Sequence, residues 1–319
     1  MGALTLKSAF SLDPSPMNIP SLQVPPFLTP GDRLMVVSTS GALKEYGALE
    51  KSLDLWRSRG YQVDFAPHYQ QQMGYLAGDD RQRREALLTA WQDPDCKAIL
   101  CTRGGYGSMR LLEDWQWGET TPKWLIGFSD ITALLWNLVK QGVMSLHGPV
   151  LTTLADEPSF SQERLFGFLE RGNLESLSGQ GWGGGQVQGQ LLPANLTVAT
   201  HLLGTPLNVV GENTILALED VTEAPYRIDR LLTQWRLSGV LHRVKGIALG
   251  RFSRCEAPAG SASWPVETVL RDRLGDLGIP VVANLPFGHD GANACLPVGW
   301  PVVLDGDRGQ LIFQPLSGS

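Results

Sequence analysis

From Leu34 onward the chain alternates short apolar runs with longer helical patterns, and this alternation restricts its architecture more than any other feature. The runs LMVVSTS (34–40), YQVDFAP (61–67), KAILCT (97–102) and WLIGF (124–128) have the β-branched, near-continuous apolar character of strands buried on both faces. Helical patterns near 43–59, near 79–93, from about 107 and over 130–141 separate or follow them. Such a βαβα succession predicts an α/β fold built on a doubly wound parallel sheet with helices on both faces. Ligands in that architecture gather at the carboxyl ends of strands, which directs attention to the strand-end loops.

The second half reads differently. Over about 155–189 the text becomes EPSFSQ and then LSGQGWGGGQVQG, glycine-rich and without helix or strand periodicity, which predicts a linker or active-site flap over 161–189. Runs of β type return at 187–193, 214–220, 244–250 and 280–285, with helices near 226–238 and 264–274. VGWPVVLD (298–305), a Gly-Asp-Arg-Gly turn and QLIFQ (310–314) together predict a terminal hairpin. The expected organisation is therefore an extended, proline-rich lead-in (1–30), an α/β domain (31–160), the linker (161–189) and a smaller mixed α/β domain (190–319).

Charge and cysteine usage narrow the partners. With a net charge of −6 and a pI near 5.4, and no basic stripe, the chain is not expected to bind nucleic acid or an anionic membrane; a small ligand is expected instead. No apolar stretch approaches the ~20 residues of a spanning helix, and the N-terminus has no signal-peptide core. Cys96, Cys101, Cys255 and Cys295 lack C-x-x-C spacing or a paired histidine motif, so neither a metal site nor a disulfide framework is expected. No cofactor is expected, and the cytoplasm is the expected compartment.

Four strand-end segments carry chemistry. Ser129 lies between the strand at 124–128 and a helix beginning at Asp130, an elbow that exposes a hydroxyl beside free helix-start amides. Ser-Asp before a helix is also an ordinary N-cap, and Ile131 stands where a G-x-S-x-G elbow has glycine, which by itself favours the cap. Thr102-Arg103-Gly104-Gly105-Tyr106-Gly107 can bring backbone amides close to a ligand, or simply turn. Arg103 can hold a substrate carboxylate or form a structural ion pair. Leu218-Glu219-Asp220 ends an apolar strand; Glu219 can orient a histidine, while Asp220 and Glu223 can be solvated or cap the next helix. His289, in a glycine-flanked loop, has His147 as its main competitor for a general base. A serine, a carboxylate and a histidine from separate loops are the parts of a nucleophilic triad.

Taken in order, these segments resemble the serine LD-carboxypeptidases (muramoyltetrapeptide carboxypeptidases) and the related microcin C self-immunity hydrolases. The likeness runs from Gly31 to about Val303. It is carried by Gly31-Asp32, GYLAGDD (74–80), RGGYG (103–107), GFSD-x-TAL (127–134), Asn195-Leu196-Thr197, LED (218–220), PYRIDR (225–230) and Gly288-His289. Pro193-Ala194 stands where that family's pattern has Gly-Gly. The resemblance implies a flavodoxin-like N-terminal domain and a smaller C-terminal one, with Ser129 as nucleophile, His289 as base and Glu219 as its partner. It further implies an oxyanion hole from the amides of Gly105 and Asp130, and substrate contacts from Arg103, Gly104, Tyr106 and Asn195. The implied activity is release of D-alanine from a murein tetrapeptide in cytoplasmic wall recycling by a homodimer. The alternatives are hydrolysis of peptidyl or aminoacyl nucleotides, and non-catalytic binding of wall fragments.

Overall fold

The structure is a computed structural model that describes residues 22–113, 115–118 and 120–315. Strands β1 (Arg33–Val37), β2 (Gln62–Phe65), β3 (Cys96–Cys101), β4 (Trp124–Gly127) and β5 (Ser145–His147) run parallel in the spatial order 2-1-3-4-5. That is the flavodoxin-like winding, with its switch point between β1 and β3. Helices α1 (Tyr46–Ser58), α2 (Asp80–Gln92), α3 (Ser108–Leu111) and α4 (Thr132–Lys140) connect or follow the strands. A capping box starts α2: Asp79 accepts from Gln82 N at 2.7 Å, and Gln82 Oε1 accepts from Asp79 N at 3.0 Å, satisfying two orphan amides. Helix α4 is buried from Thr132 through Val139, because it is wedged between two sheets; Trp136 Nε1 donates to the Pro193 carbonyl at 3.0 Å.

The chain then forms α5 (Leu151–Leu154), α6 (Ser159–Arg171), β6 (Leu177–Ser178), β7 (Gln180–Gly181), β8 (Gln186–Asn195), α7 (Leu196–Leu202) and β9 (Thr214–Val221). After these come α8 (Pro225–Leu237), β10 (Gly246–Ser253), α9 (Val266–Leu274), β11 (Val281–Ala283), β12 (Leu296–Val298), β13 (Pro301–Asp305) and β14 (Gln310–Phe313). The second sheet has the order β6-β14-β13-β8-β9-β10-β11-β7. Its centre, β8 to β11, is parallel, and its flanks are antiparallel.

One expectation is corrected and two are refined. The segment 161–189 is not devoid of regular structure: α6 buries Leu165, Phe166, Phe168 and Leu169 and ends on Gly172 at φ 70°, a left-handed C-terminal stop. The terminal hairpin is present, β13 pairing antiparallel with β14; only Val298, at the head of the expected run, belongs to β12, which pairs antiparallel with β5 at the edge of the first sheet. Of the extended lead-in expected over 1–30, residues 1–21 lie outside the described residues, and 22–30 form no helix or strand but run against the first domain. Leu28 is buried and its N–H donates to the Leu169 carbonyl at 2.7 Å, while Trp124 Nε1 donates to Pro26 O at 2.9 Å. Among the described residues no helix is long and apolar enough to cross a membrane.

Candidate active site

Ser129 follows β4 directly and opens a 3-10 turn (Ser129–Ile131) that leads into α4. Its φ is 62°, a left-handed conformation that costs a non-glycine residue about 1–3 kcal/mol and persists only where surrounding structure enforces it. The turn lifts the hydroxyl clear of the sheet. Gly104, after β3, backs against it: a Cβ at that position would stand 3.0 Å from Ser129 Cβ and 3.1 Å from Oγ. A side chain there would displace the hydroxyl, which is the physical reason for a glycine.

His289 reaches Ser129 from the loop after β11. Its Nε2 is 3.2 Å from Ser129 Oγ, and its Nδ1 is 2.6 Å from Glu219 Oε2. Glu219 lies two residues before the end of β9 with its side chain wholly buried, so its carboxylate takes the Nδ1 proton bond and leaves the Nε2 lone pair facing the hydroxyl. The histidine backbone is anchored too, its carbonyl accepting from Ser253 Oγ and from Arg251 Nε. Burial alone pulls the imidazole pKa down; the bond and charge of Glu219, with the charges of Asp220 and Asp290, outweigh it and hold it above the ordinary histidine value. The ring of Phe128 lies 4.6 Å from that of His289 and walls it on one side.

The N–H groups of Gly105 and Asp130 donate to no protein acceptor among the described residues. Asp130 follows Ser129 in the chain, and Gly105, on a φ of 120°, follows the Gly104 that backs against it. The Asp130 carboxylate faces inward, accepting from Ser40 Oγ at 2.6 Å and Ser108 N at 2.8 Å. It thereby ties the ends of β1 and β3 to the elbow, close to the switch point. The sequence reading did not single out Ser40 and Ser108; a serine closing the first strand of a doubly wound sheet was the available signal.

Comparison with known proteins bears on what this geometry serves. A family model described as the LD-carboxypeptidase N-terminal domain matches residues 34–148, and one described as the LD-carboxypeptidase C-terminal domain matches residues 188–304. The chain belongs to the LD-carboxypeptidase family. It is 63% identical to a Synechocystis sp. protein named "Putative carboxypeptidase", over 90% of this chain and 95% of that one. It is 33% identical to the murein tetrapeptide carboxypeptidase of Pseudomonas aeruginosa, over 86% and 94%. The muramoyltetrapeptide carboxypeptidase structure from Oxalobacter formigenes superposes with a TM-score of 0.77 at 29% identity, covering 88% of this chain and 97% of that one. As a member of this family the chain is a hydrolase, a carboxypeptidase.

Within this LD-carboxypeptidase the expected substrate contacts divide. Gly104 backs onto the elbow, and Tyr106 is exposed, with its ring 5.7 Å from that of Tyr75. Arg103 forms an ion pair: its Nη1 donates to both carboxylate oxygens of Glu45 at 3.0 and 2.9 Å and to Ala42 O at 3.2 Å, so the guanidinium braces the loop. Asn195 is engaged within the protein. It is 4% exposed, its Nδ2 donates to Glu219 at 3.2 Å and Asp220 at 3.1 Å, and its Oδ1 caps α7 at Val198 N. Through these bonds Asn195 positions Glu219.

Asp220 is neither solvated nor a cap of α8. It is buried and accepts from Thr197 N at 2.9 Å and Thr197 Oγ1 at 2.7 Å; burial, then the Glu219 charge, push its pKa up to about 6 against these bonds. His147 is sealed from solvent, and neither ring nitrogen has a partner among the described residues. It has no access to a substrate proton.

Proposed function

We propose that this carboxypeptidase is serine-dependent and hydrolyses the amide joining the terminal D-alanine to a murein tetrapeptide. The observation that carries the serine chemistry is the continuous bond path from Glu219 through His289 to Ser129, at 2.6 and 3.2 Å. Ser129 Oγ attacks the carbonyl carbon as His289 Nε2 takes its proton. The oxyanion that forms is held by the Gly105 and Asp130 amides, each such donor being worth ~2.7–4 kcal/mol in the barrier. His289 then protonates the departing amine, and D-alanine leaves. Water, deprotonated by His289, attacks the acyl-enzyme; its proton returns to Ser129 when the ester breaks.

The substrate class is supported by the relative in Pseudomonas aeruginosa, named a murein tetrapeptide carboxypeptidase, at 33% identity. We place the reaction in cytoplasmic peptidoglycan recycling and take the working unit to be a homodimer. Incubation with a defined tetrapeptide and with an aminoacyl nucleotide conjugate, followed by mass spectrometry, tests the reading. Release of free D-alanine from the peptide is the expected product. Cleavage of the nucleotide conjugate alone overturns it, as does tight peptide binding without turnover.

A further inference from the structure

Strands β8 and β9 end side by side, with Asn195 and Glu219 as register partners, and each delivers the chain into a helix, α7 and α8 respectively. Between these helices lies an open groove of ≈ 360 Å³ whose walls include Thr197, His201, Glu223, Tyr226, Arg227 and Arg230. Its position, outside the carboxyl ends of two parallel strands, is where α/β sheets receive ligands. Hydrogen bonds link one end of it to the triad. Thr197, on the groove wall, bonds to Asp220; Asp220 shares the Asn195 amide with Glu219, and Glu219 holds His289.

The charges in the groove do not cancel. Arg227 pairs with Glu223 at 3.5 Å. Arg230 has no carboxylate within ion-pair distance among the described residues; the carboxylate beside it in sequence, Asp229, accepts from Thr233 at 3.2 Å and lies 3.7 Å from Arg273. Tyr226, more than half exposed, receives the guanidinium of Arg230 at 5.3 Å from its ring centroid, which restrains that long side chain without neutralising it. His201 bonds the Thr197 carbonyl through Nδ1 at 2.7 Å, so Nδ1 carries the proton and Nε2 is available on the groove side of that bond. Two guanidiniums against one carboxylate leave one net positive charge. A single carboxylate matches it; a dianionic phosphate would leave Glu223 facing excess negative charge.

We propose that this groove is a subsite for one carboxylate of the peptide substrate, with Arg230 as its principal charge and Arg227 and Tyr226 beside it. The assignment rests on the peptide-hydrolase reading above and gives that reading a specificity determinant outside the triad: an acidic residue of the peptide is recognised away from the bond being cut.

A substrate-and-variant cycle tests it. Tetrapeptides in which each carboxylate is amidated in turn are assayed with the full-length wild type, Arg230→Ala and Arg230→Lys. Arg230→Ala is expected to raise KM for the unmodified peptide by ~10-fold or more, the worth of a charge-assisted pair, with kcat within about twofold of wild type. One amidated peptide is expected to show the same loss with wild type and no further loss with the variant, the signature of a direct contact. Arg230→Lys is expected to recover part of the affinity. Equal losses on every peptide, no loss at all, or a loss tracking a change in oligomeric mass overturns the subsite while leaving the hydrolase reading standing. A wild type that cleaves none of the peptides overturns the hydrolase reading, and the subsite falls with it.

Discussion

Asn195 and Glu219 are opposed in the parallel register of β8 and β9, and Asn195 Nδ2 donates to Glu219 Oε1 at 3.2 Å. Glu219 is thereby held from both sides: one oxygen by Asn195, the other by His289. The imidazole is aimed at Ser129 only as well as this carboxylate is fixed, so part of the site's precision is stored in a residue one step removed from the histidine.

Replacement of Asn195 by alanine leaves two buried carboxylates short of a donor and removes the cap of α7. Bonds to charged groups are worth ~1.5–3 kcal/mol each, so a lower Tm is expected, together with a kcat reduced by about 10–100-fold as Glu219 loses its fixed orientation. The acid limb of the pH–kcat/KM profile should also move to lower pH, because a loosened Glu219 supports imidazolium less. A variant with a lower Tm and an unchanged profile would reduce Asn195 to a helix cap.

The pH dependence of the wild type follows from His289. As a base it must be neutral, and its pKa lies above the ordinary imidazole value, so kcat/KM is expected to rise with pH through a limb displaced upward from that value. Glu219→Gln should bring the limb down and lower its plateau. Stability runs the other way: a histidine whose folded pKa is raised stabilises fully below its unfolded value, and that contribution disappears as pH rises through the folded one. Denaturant unfolding across the activity limb should therefore show the His289–Glu219 contribution falling while turnover climbs.

His147 has the opposite sign. Burial pushes its pKa down to about 4, and with both nitrogens unpartnered the fold must hold it neutral. Stability is expected to fall as pH drops from the unfolded imidazole range of about 6.5 toward 4, a loss approaching roughly 3 kcal/mol by linkage. His147→Phe keeps a buried ring and removes the proton. It should flatten this acid limb in urea unfolding at pH 4.5 to 7; an unchanged slope would show that other groups cause the acid loss.

Gly104→Ala places a methyl group 3.0 Å from Ser129 Cβ and 3.1 Å from Oγ. Overpacking of this kind costs about 1–3 kcal/mol of stability, but displacement of the nucleophile should dominate, with kcat/KM falling ~100-fold. Wild-type kinetics in this variant would mean that the elbow has room to spare.

The strand ends of the doubly wound half were readable because buried parallel strands are near-continuous apolar runs, and Ser129, Glu219 and His289 all sit just beyond such runs. Their convergence could be expected from the type and order of the residues. What could not be read was register: the partners of the Asn195 amide stand on β9, and no local signal in Asn-Leu-Thr reveals which side chains the adjacent strand supplies. Arg103 poses a similar problem, since its partner Glu45 arrives from a different loop. Helix α6 was hidden by its surroundings, because the glycine-rich stretch after it masked the apolar spacing of Leu165, Phe166, Phe168 and Leu169. The three-residue β12 is too short to carry any period of its own.

The most direct test of the central claim is the turnover of a defined murein tetrapeptide by Ser129→Ala beside wild type, with free D-alanine as the readout and circular dichroism to verify the fold. Loss of the nucleophile should lower kcat by ~10⁴-fold or more while the protein remains folded. A folded Ser129→Ala protein that releases D-alanine within about tenfold of the wild-type rate would contradict it.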